Sequence, residues 1–253
     1  MSILGIRQCT KRFGGLVAVK DLNMTLHPGD LYGLIGPNGA GKTTVFNLIT
    51  GVYTPDEGSI ELDGRAIQGR KPSAIAKQGM SRTFQNIRLF KSMTVLENVL
   101  ASSHMHRKQG MFDAIVRTRP MKNEEMEIRT AGMELLKIFG LDKRADELAS
   151  NLPYGSQRRL EIVRALATNP KVLLLDEPAA GMNPQEAIDL MHLIQFCRDK
   201  FHLTILLVEH NMKVVMGVCE KIQVIDYGET IALGSPKEIR DDPRVIEAYL
   251  GGA

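Results

Sequence analysis

Two hydrophobic periodicities run along this chain. Short, nearly unbroken apolar runs at Leu31 to Ile35, Val172 to Leu175 and Leu203 to Val208 have the length and composition of strands buried on both faces, as in a parallel sheet. Residues 1 to about 85 alternate β-type runs with glycine turns, Ser59 to Gly64 among them, and Val45 to Thr50 reads as a helix. From about 87 to 168 the pattern turns helical. Asn123 is placed to cap a helix whose Ile128, Ala131, Leu135 and Phe139 recur at three- and four-residue spacing before Gly140 ends it. The basic stretch Met105 to Lys122 reads as a solvated loop. After residue 171 strands and helices alternate again, with Ala187, Leu190, Met191 and Ile194 lining one helix face and Ile222 to Asp226 a further strand. No internal repeat or low-complexity linker is present.

Composition narrows the class. A chain of 253 residues with 43% hydrophobic content can bury one sizeable core and a subsidiary lobe, within the range of a single large α/β domain. No run approaches the roughly 18 apolar residues that span a bilayer. Met1 to Ile6 lacks a charged region followed by an apolar core, so a cytoplasmic location is expected. Cys9, Cys197 and Cys219 are odd in number and widely spaced, and read as reduced thiols. His104 and His106 read as solvated, not metal-binding. The 32 basic residues against 29 acidic ones leave +3, too even a balance for a protein that tracks nucleic-acid phosphates.

The decisive chemistry lies between the run Leu31 to Ile35 and the helix-like Val45 to Thr50. Gly36, Pro37, Asn38, Gly39, Ala40, Gly41, Lys42, Thr43 and Thr44 form a P-loop in the strand-to-helix context it requires. Glycines at 36, 39 and 41 let backbone N–H groups turn inward as an anion nest, and the helix adds its positive end. Lys42 would reach the β- and γ-phosphates, and the Thr43 hydroxyl would ligate magnesium. A second element, Val172 to Leu175 followed by Asp176, Glu177 and Pro178, reads as a Walker B strand. There Asp176 would hold magnesium through its water shell and Glu177 would orient and polarise the attacking water. These residues predict binding and hydrolysis of a nucleoside triphosphate with Mg2+.

Leu152, Pro153, Tyr154, Gly155, Ser156 and Gln157, running into an amphipathic helix, resemble the signature segment of an ATP-binding cassette, whose common Leu-Ser-Gly-Gly-Gln wording is altered here. Further matches follow in the order such cassettes use. Gln85, within Ser81 to Asn86, resembles the Q-loop glutamine that meets magnesium and the water. Ala180, Gly181, Met182 and Asn183 resemble the D-loop, with Asn183 where an aspartate is common. His210 resembles the switch histidine at the γ-phosphate, and Phe13, after Lys11 and Arg12, resembles the aromatic that stacks on adenine. The resemblance spans the chain and implies a P-loop NTPase fold of the cassette type: a mostly parallel core sheet, a small antiparallel β subdomain and an inserted helical subdomain at about 87–168, all in one domain of residues 1–253. It implies ATP as substrate, a catalytic set of Glu177, His210 and Gln85, and magnesium at Thr43, Gln85 and Asp176. It also implies a second cassette, identical or not, whose signature completes the site in trans. Pro153 supplies neither hydroxyl nor N–H to that contact.

The wording of Arg12 to Leu16, Thr83 to Phe90, Tyr154 with Gly155, Glu177 to Pro184 and the tail Ala248 to Gly252 is similar to the ATP-binding subunits of bacterial importers for branched-chain, hydrophobic amino acids. This implies two integral-membrane permease subunits and, indirectly, an extracytoplasmic substrate-binding protein. The chain would then lie peripherally on the inner face of the cell membrane, with Arg88, Leu89, Phe90 and Met93 cupping a permease helix. Cassettes serving urea and other amides, or extracting lipopolysaccharide, share much of this wording. A soluble cassette acting outside transport and a nucleotide-dependent regulator without hydrolysis are the remaining readings. Glu177 and His210 argue against the second.

Overall fold

The computed structural model of the protein describes residues 1–103 and 119–250. The chain divides into two compact units, Met1–Gln85 with Lys171–Ala253, and Asn86–Pro170.

In the first unit, strands β1 (Leu4–Phe13), β2 (Leu16–Leu26), β4 (Glu57–Leu62) and β5 (Arg65–Ala66) form an antiparallel sheet in the order β2-β1-β4-β5. Leu4, Ile6, Ile60 and Leu62 are buried, while Arg7 and Glu61 pair on the outer face. The second sheet uses β3 (Leu31–Ile35), β6 (Met80–Arg82), β7 (Val172–Asp176), β8 (Thr204–Val208), β9 (Lys221–Asp226) and β10 (Glu229–Gly234), in the order β10-β9-β3-β8-β7-β6. Only the β9–β10 pairing is antiparallel.

Every residue of β3, β7 and β8 is buried, which is why these strands are continuous apolar runs and not alternating ones. Their register sets Leu34 and Asp176 level with Val208, so the carboxyl ends of three adjacent strands lie on one line. That edge is where open α/β sheets hold ligands.

Helix α1 (Lys42–Ile49) follows β3 and sinks Phe46 and Ile49 into a core that includes Leu22, Leu26, Ile60, Leu174 and Leu206. Each such side chain contributes about 1.5–3 kcal/mol by burial. Helix α2 (Pro72–Lys77) precedes β6.

The second unit contains α3 (Val95–Ser103), α4 (Arg119–Ile138) and α5 (Tyr154–Leu166). Two expectations need correction. Helix α4 begins at Arg119, so Asn123 lies inside it and residues 119–122 are helical, not loop. Pro120 suits this, since a first-turn residue needs no N–H. The remainder of the expected loop, 105–118, and His104 and His106 lie outside the described residues. The inward face of α4 is also shifted by one position. Ala131 and Leu135 give way to Gly132 and Leu136 in the buried set, because α3 crosses closely over Gly132, while Phe139 is buried as expected. Gly140, with φ +68°, ends the helix as expected.

Helix α6 (Pro184–Phe201) buries Ala187, Leu190, Ile194 and Cys197. Helices α7 (Met212–Val218), α8 (Pro236–Asp241) and α9 (Pro243–Leu250) complete the first unit. All three cysteines are free and buried, and burial raises their thiols to about 11 for Cys9 and about 12 for Cys197 and Cys219, which leaves them inert. Among the described residues no helix is long and apolar enough to cross a membrane.

A Cβ at Gly132 would meet Val99, Leu100 and Leu96 at 3.5–3.6 Å, ordinary contact. Gly132→Ala should therefore raise stability by up to about 1 kcal/mol through helix propensity. Gly132→Leu should overpack the crossing and cost about 1–3 kcal/mol. Urea melts of both variants check the pair, and equal midpoints would contradict the close crossing.

Candidate active site

The turn after β3 is shaped by close backbone approaches. A Cβ at Gly36 would lie 2.0 Å from the Ile225 carbonyl oxygen, and one at Gly41 would lie 2.5 Å from that of Ala18. Gly41 also has φ +105°, so both positions demand glycine. The loop is clipped down by the Ala40 N–H to Pro37 O bond at 3.2 Å and the Gly228 N–H to Ala40 O bond at 3.0 Å. Helix α1 starts with no side-chain cap and no acid in its first turn, leaving its leading N–H groups for an anion.

Lys42 folds back across this turn, donating to Gly36 O and Pro37 O, each at 2.7 Å. Burial lowers its pKa, against the pull of Glu177 and Asp176. Thr43 is exposed at the helix start and Thr44 is half-buried.

At the end of β7, Asp176 is 6% exposed and receives Arg82 Nη2 on its Oδ2 at 2.7 Å. Glu177 adopts φ +46°, a left-handed backbone costly for a non-glycine residue, and its N–H donates to Val208 O at 2.8 Å. That twist aims its carboxylate along the strand ends. There Glu177 Oε2 accepts from Gln85 Nε2 at 2.8 Å and lies 3.5 Å from His210 Nδ1. Gln85 and His210, 92 and 33 positions from Glu177 in the chain, thus meet at one of its oxygens. His210 itself remains largely exposed, at 60% of its side chain.

Phe13 is exposed, not core, and meets Tyr53 edge-on with ring centroids 5.1 Å apart and Lys11 Nζ 5.5 Å from its own. Tyr53 had no sequence signal pointing to this pairing. Asn183 is the cap of α6 in a reciprocal capping box, accepting from Glu186 N–H and donating its own N–H to Glu186 Oε2, both at 2.9 Å. Ala180 N–H reaches Glu177 O at 3.2 Å and Gly181 turns with φ +74°, bringing the chain past half-buried Met182.

In the second unit Leu152 is buried, Pro153 is the N-cap of α5, and Tyr154 stands 47% exposed at the helix start. Gly155 and Ser156 follow in the first turn, which no side chain caps, while Gln157 Nε2 turns back to Leu152 O at 2.8 Å. Arg158, within the helix read as amphipathic, is fully buried and pairs with Glu161 at 2.8 Å. Phe90 and Met93 are exposed, with Arg164 stacked over the Phe90 ring at 4.7 Å.

Glu209 also carried no sequence signal. It is fully buried, with Oε1 accepting from Ala179 N–H at 2.7 Å and Oε2 from His210 and Asn211 N–H at 3.1 and 3.2 Å. It thereby stitches the chain after Glu177 to the chain carrying His210.

The sequence profile described as ABC transporter matches residues 19–180, and one described as branched-chain amino acid ATP-binding cassette transporter matches residues 229–253. The chain belongs to the ABC transporter family. It is 46% identical over 251 residues to the high-affinity branched-chain amino acid transport ATP-binding protein LivG of Escherichia coli (strain K12), and 47% identical over the same length to BraF of Pseudomonas aeruginosa, covering 99% of this chain and 98% of each relative. The lipopolysaccharide export system ATP-binding protein LptB of Escherichia coli (strain K12) is 34% identical at the same coverage. Among solved structures, the ADP conformation of the cassette MJ1267 superposes with a TM-score of 0.86 at 32% identity over 99% of both chains. The dimeric post-hydrolysis state of MJ0796, bound to ADP and Pi, reaches 0.77 at 25% identity over 92% of this chain and 98% of that one. The fold is that of an ABC ATPase, and the cassette is an ATP-binding, ATP-hydrolysing transporter subunit of a kind that dimerises.

Burial holds the Glu209 carboxyl above its ordinary 4.5, against the opposing pull of three backbone N–H groups and His210. The folded chain thus keeps this proton more tightly than the unfolded one, and the contribution of Glu209 to stability falls as pH rises above about 4.5. Relative to the native cassette, Glu209→Gln should gain thermal stability as pH is raised from about 4 to about 7. Paired thermal melts across that range check this; a difference independent of pH would contradict it.

Proposed function

We propose that this cassette powers an importer of branched-chain, hydrophobic amino acids, as one of two cassettes on the cytoplasmic face of the cell membrane beneath two permease subunits fed by an extracytoplasmic binding protein. What supports the cargo is near-full-length identity of 46–47% to LivG and BraF against 34% to LptB, together with the matching tail at residues 229–253. What carries the chemistry is the convergence of Gln85 and His210 on one oxygen of Glu177.

Lys42 exchanges its two carbonyl acceptors for β- and γ-phosphate oxygens, and the uncapped N–H groups of Lys42 to Thr44 wrap the rest. Thr43, Gln85 and Asp176 offer hydroxyl, amide and carboxylate oxygens, a hard donor set suited to Mg2+. Among the described residues no cluster of three or more His, Cys, Asp or Glu forms a cage of its own, which fits an ion that arrives with the nucleotide. Bound there, it neutralises charge across the transferring phosphate. Glu177 orients and polarises the attacking water once Gln85 turns from it toward the nucleotide. His210 has the exposure to reach the γ-phosphate. Phe13 and Tyr53 offer the adenine a stacking face without reading its edge, so discrimination against GTP is modest. The start of α5, with Gly155 and Ser156, meets the nucleotide of the opposite cassette through its N–H groups, bypassing Pro153. Arg88, Leu89, Phe90 and Met93 receive the permease.

Glu177→Gln should retain ATP binding and lower turnover by about two or more orders of magnitude, whereas Lys42→Ala should weaken nucleotide binding itself. Steady-state hydrolysis and equilibrium binding separate the two, and near-normal turnover in Glu177→Gln would remove it from its role. For the cargo, the cassette purified with its detergent-solubilised partners should bring down permeases and show ATPase activity stimulated by leucine with a binding protein. Stimulation by urea or lipopolysaccharide instead, or recovery with ribosomes and no membrane partner, would overturn the assignment.

A further inference from the structure

Arg82 ends the edge strand β6, opposite Leu174 of β7, and the following Thr83 N–H donates to Leu174 O at 2.9 Å. This pairing delivers the Arg82 side chain beside Asp176. Its guanidinium is held through both terminal nitrogens. Nη2 donates to Asp176 Oδ2 at 2.7 Å, while Nη1 donates to Asn47 Oδ1 at 2.8 Å and Thr50 Oγ1 at 3.5 Å, both on or just after helix α1. The rings of Phe46 and Phe84 lie 5.3 and 5.0 Å from Cζ, which fixes the plane. The side chains of Arg82 and Asp176 are each 9% exposed.

We propose that Arg82 is a positioning residue for the magnesium site: it ties the Walker B carboxylate to the helix that follows the P-loop, so that Asp176 has one oxygen held and the other turned to the ion's water shell. The proposal rests on the magnesium reading above.

Two effects oppose one another. A guanidinium repels a divalent cation, yet it also keeps this carboxylate aimed. Asp176 is buried, and an unpaired buried charge costs more than moderate repulsion across a shared carboxylate, so without Arg82 the carboxylate would swing away. Orientation therefore dominates, and losing Arg82 weakens the ion's hold. Arg82 also bonds to the P-loop helix through Asn47, so the nucleotide's phosphates and the Walker B strand are held in one frame, not two.

The test titrates MgCl2 into the purified full-length cassette with ATP and reads ATP affinity, with a parallel measurement in EDTA. Arg82→Gln should raise the Mg2+ concentration for half-maximal effect on the order of tenfold, the scale of one charge-assisted hydrogen bond, and change ATP affinity in EDTA by less than about threefold. Arg82→Lys should restore part of the difference. Asn47→Ala, which leaves Arg82 in place, should move the Mg2+ requirement in the same direction by less, and the Arg82→Gln/Asn47→Ala double variant should be no worse than Arg82→Gln alone. An unchanged Mg2+ requirement in Arg82→Gln, or an equal loss of affinity in EDTA, would overturn the proposal by leaving Arg82 a purely structural part. If Arg82→Gln does not fold, Asn47→Ala decides alone, and no shift there overturns it. No Mg2+ effect on ATP affinity in the native cassette would instead remove the magnesium reading itself.

Discussion

Two opposite charges sunk into the carboxyl edge of a parallel sheet govern this structure. Lys42 and Asp176 are 9% and 6% exposed, and a charge buried there without partners is costly. Lys42 finds carbonyl oxygens of its own loop, and Asp176 finds Arg82. The fold thus satisfies both buried charges.

Local backbone strain sets the remaining geometry. Gly36 lies where no Cβ fits against Ile225, and Glu177 holds a left-handed backbone that the Val208 pairing enforces. The strained turn aims the carboxylate at the line of strand ends, where Gln85 and His210 meet it. Buried Glu209 then binds the segments on either side through three backbone N–H groups, so the chain leading toward Asn183 and the chain carrying His210 are fixed to each other. The second unit uses the same device: Asn98, fully buried, accepts from Phe90 N–H at 2.9 Å and donates to Phe90 O and Thr94 O at 3.0 and 2.9 Å, which shapes the loop that exposes Phe90 and Met93.

Much of this was legible in the chain itself. The P-loop announces itself because its function needs glycine at close-packed turns and a lysine at a set offset, all within nine residues. The β3, β7 and β8 runs are unbroken because both faces of each are covered. Asn183 is a case where a local signal was present and went unused: an Asn followed three residues later by Glu186 is a capping box, and that occupies the side chain read as a D-loop contact. Helix α4 starts earlier than expected because the basic stretch read as loop includes its first residues, and a first-turn proline such as Pro120 is compatible with helix. Its buried face shifted because Gly132, apolar only by having no side chain, is where α3 comes closest.

By itself the sequence determined which segments are strands, turns and helices around the phosphate loop, because those depend on residues within a few positions of one another. It also marked the residues proposed to meet ATP. Only the tertiary structure decided that Gln85 and His210 share one oxygen of Glu177, that Tyr53 pairs with Phe13, and that Arg82 bridges Asp176 to Asn47, its partners lying 94 and 35 positions away. Those contacts arise from strand order and register, which set β6 beside β7 and Asp176 level with Val208. A buried charge is neutralised by whatever the sheet brings within about 3 Å of it, and no local pattern of residues encodes that distance.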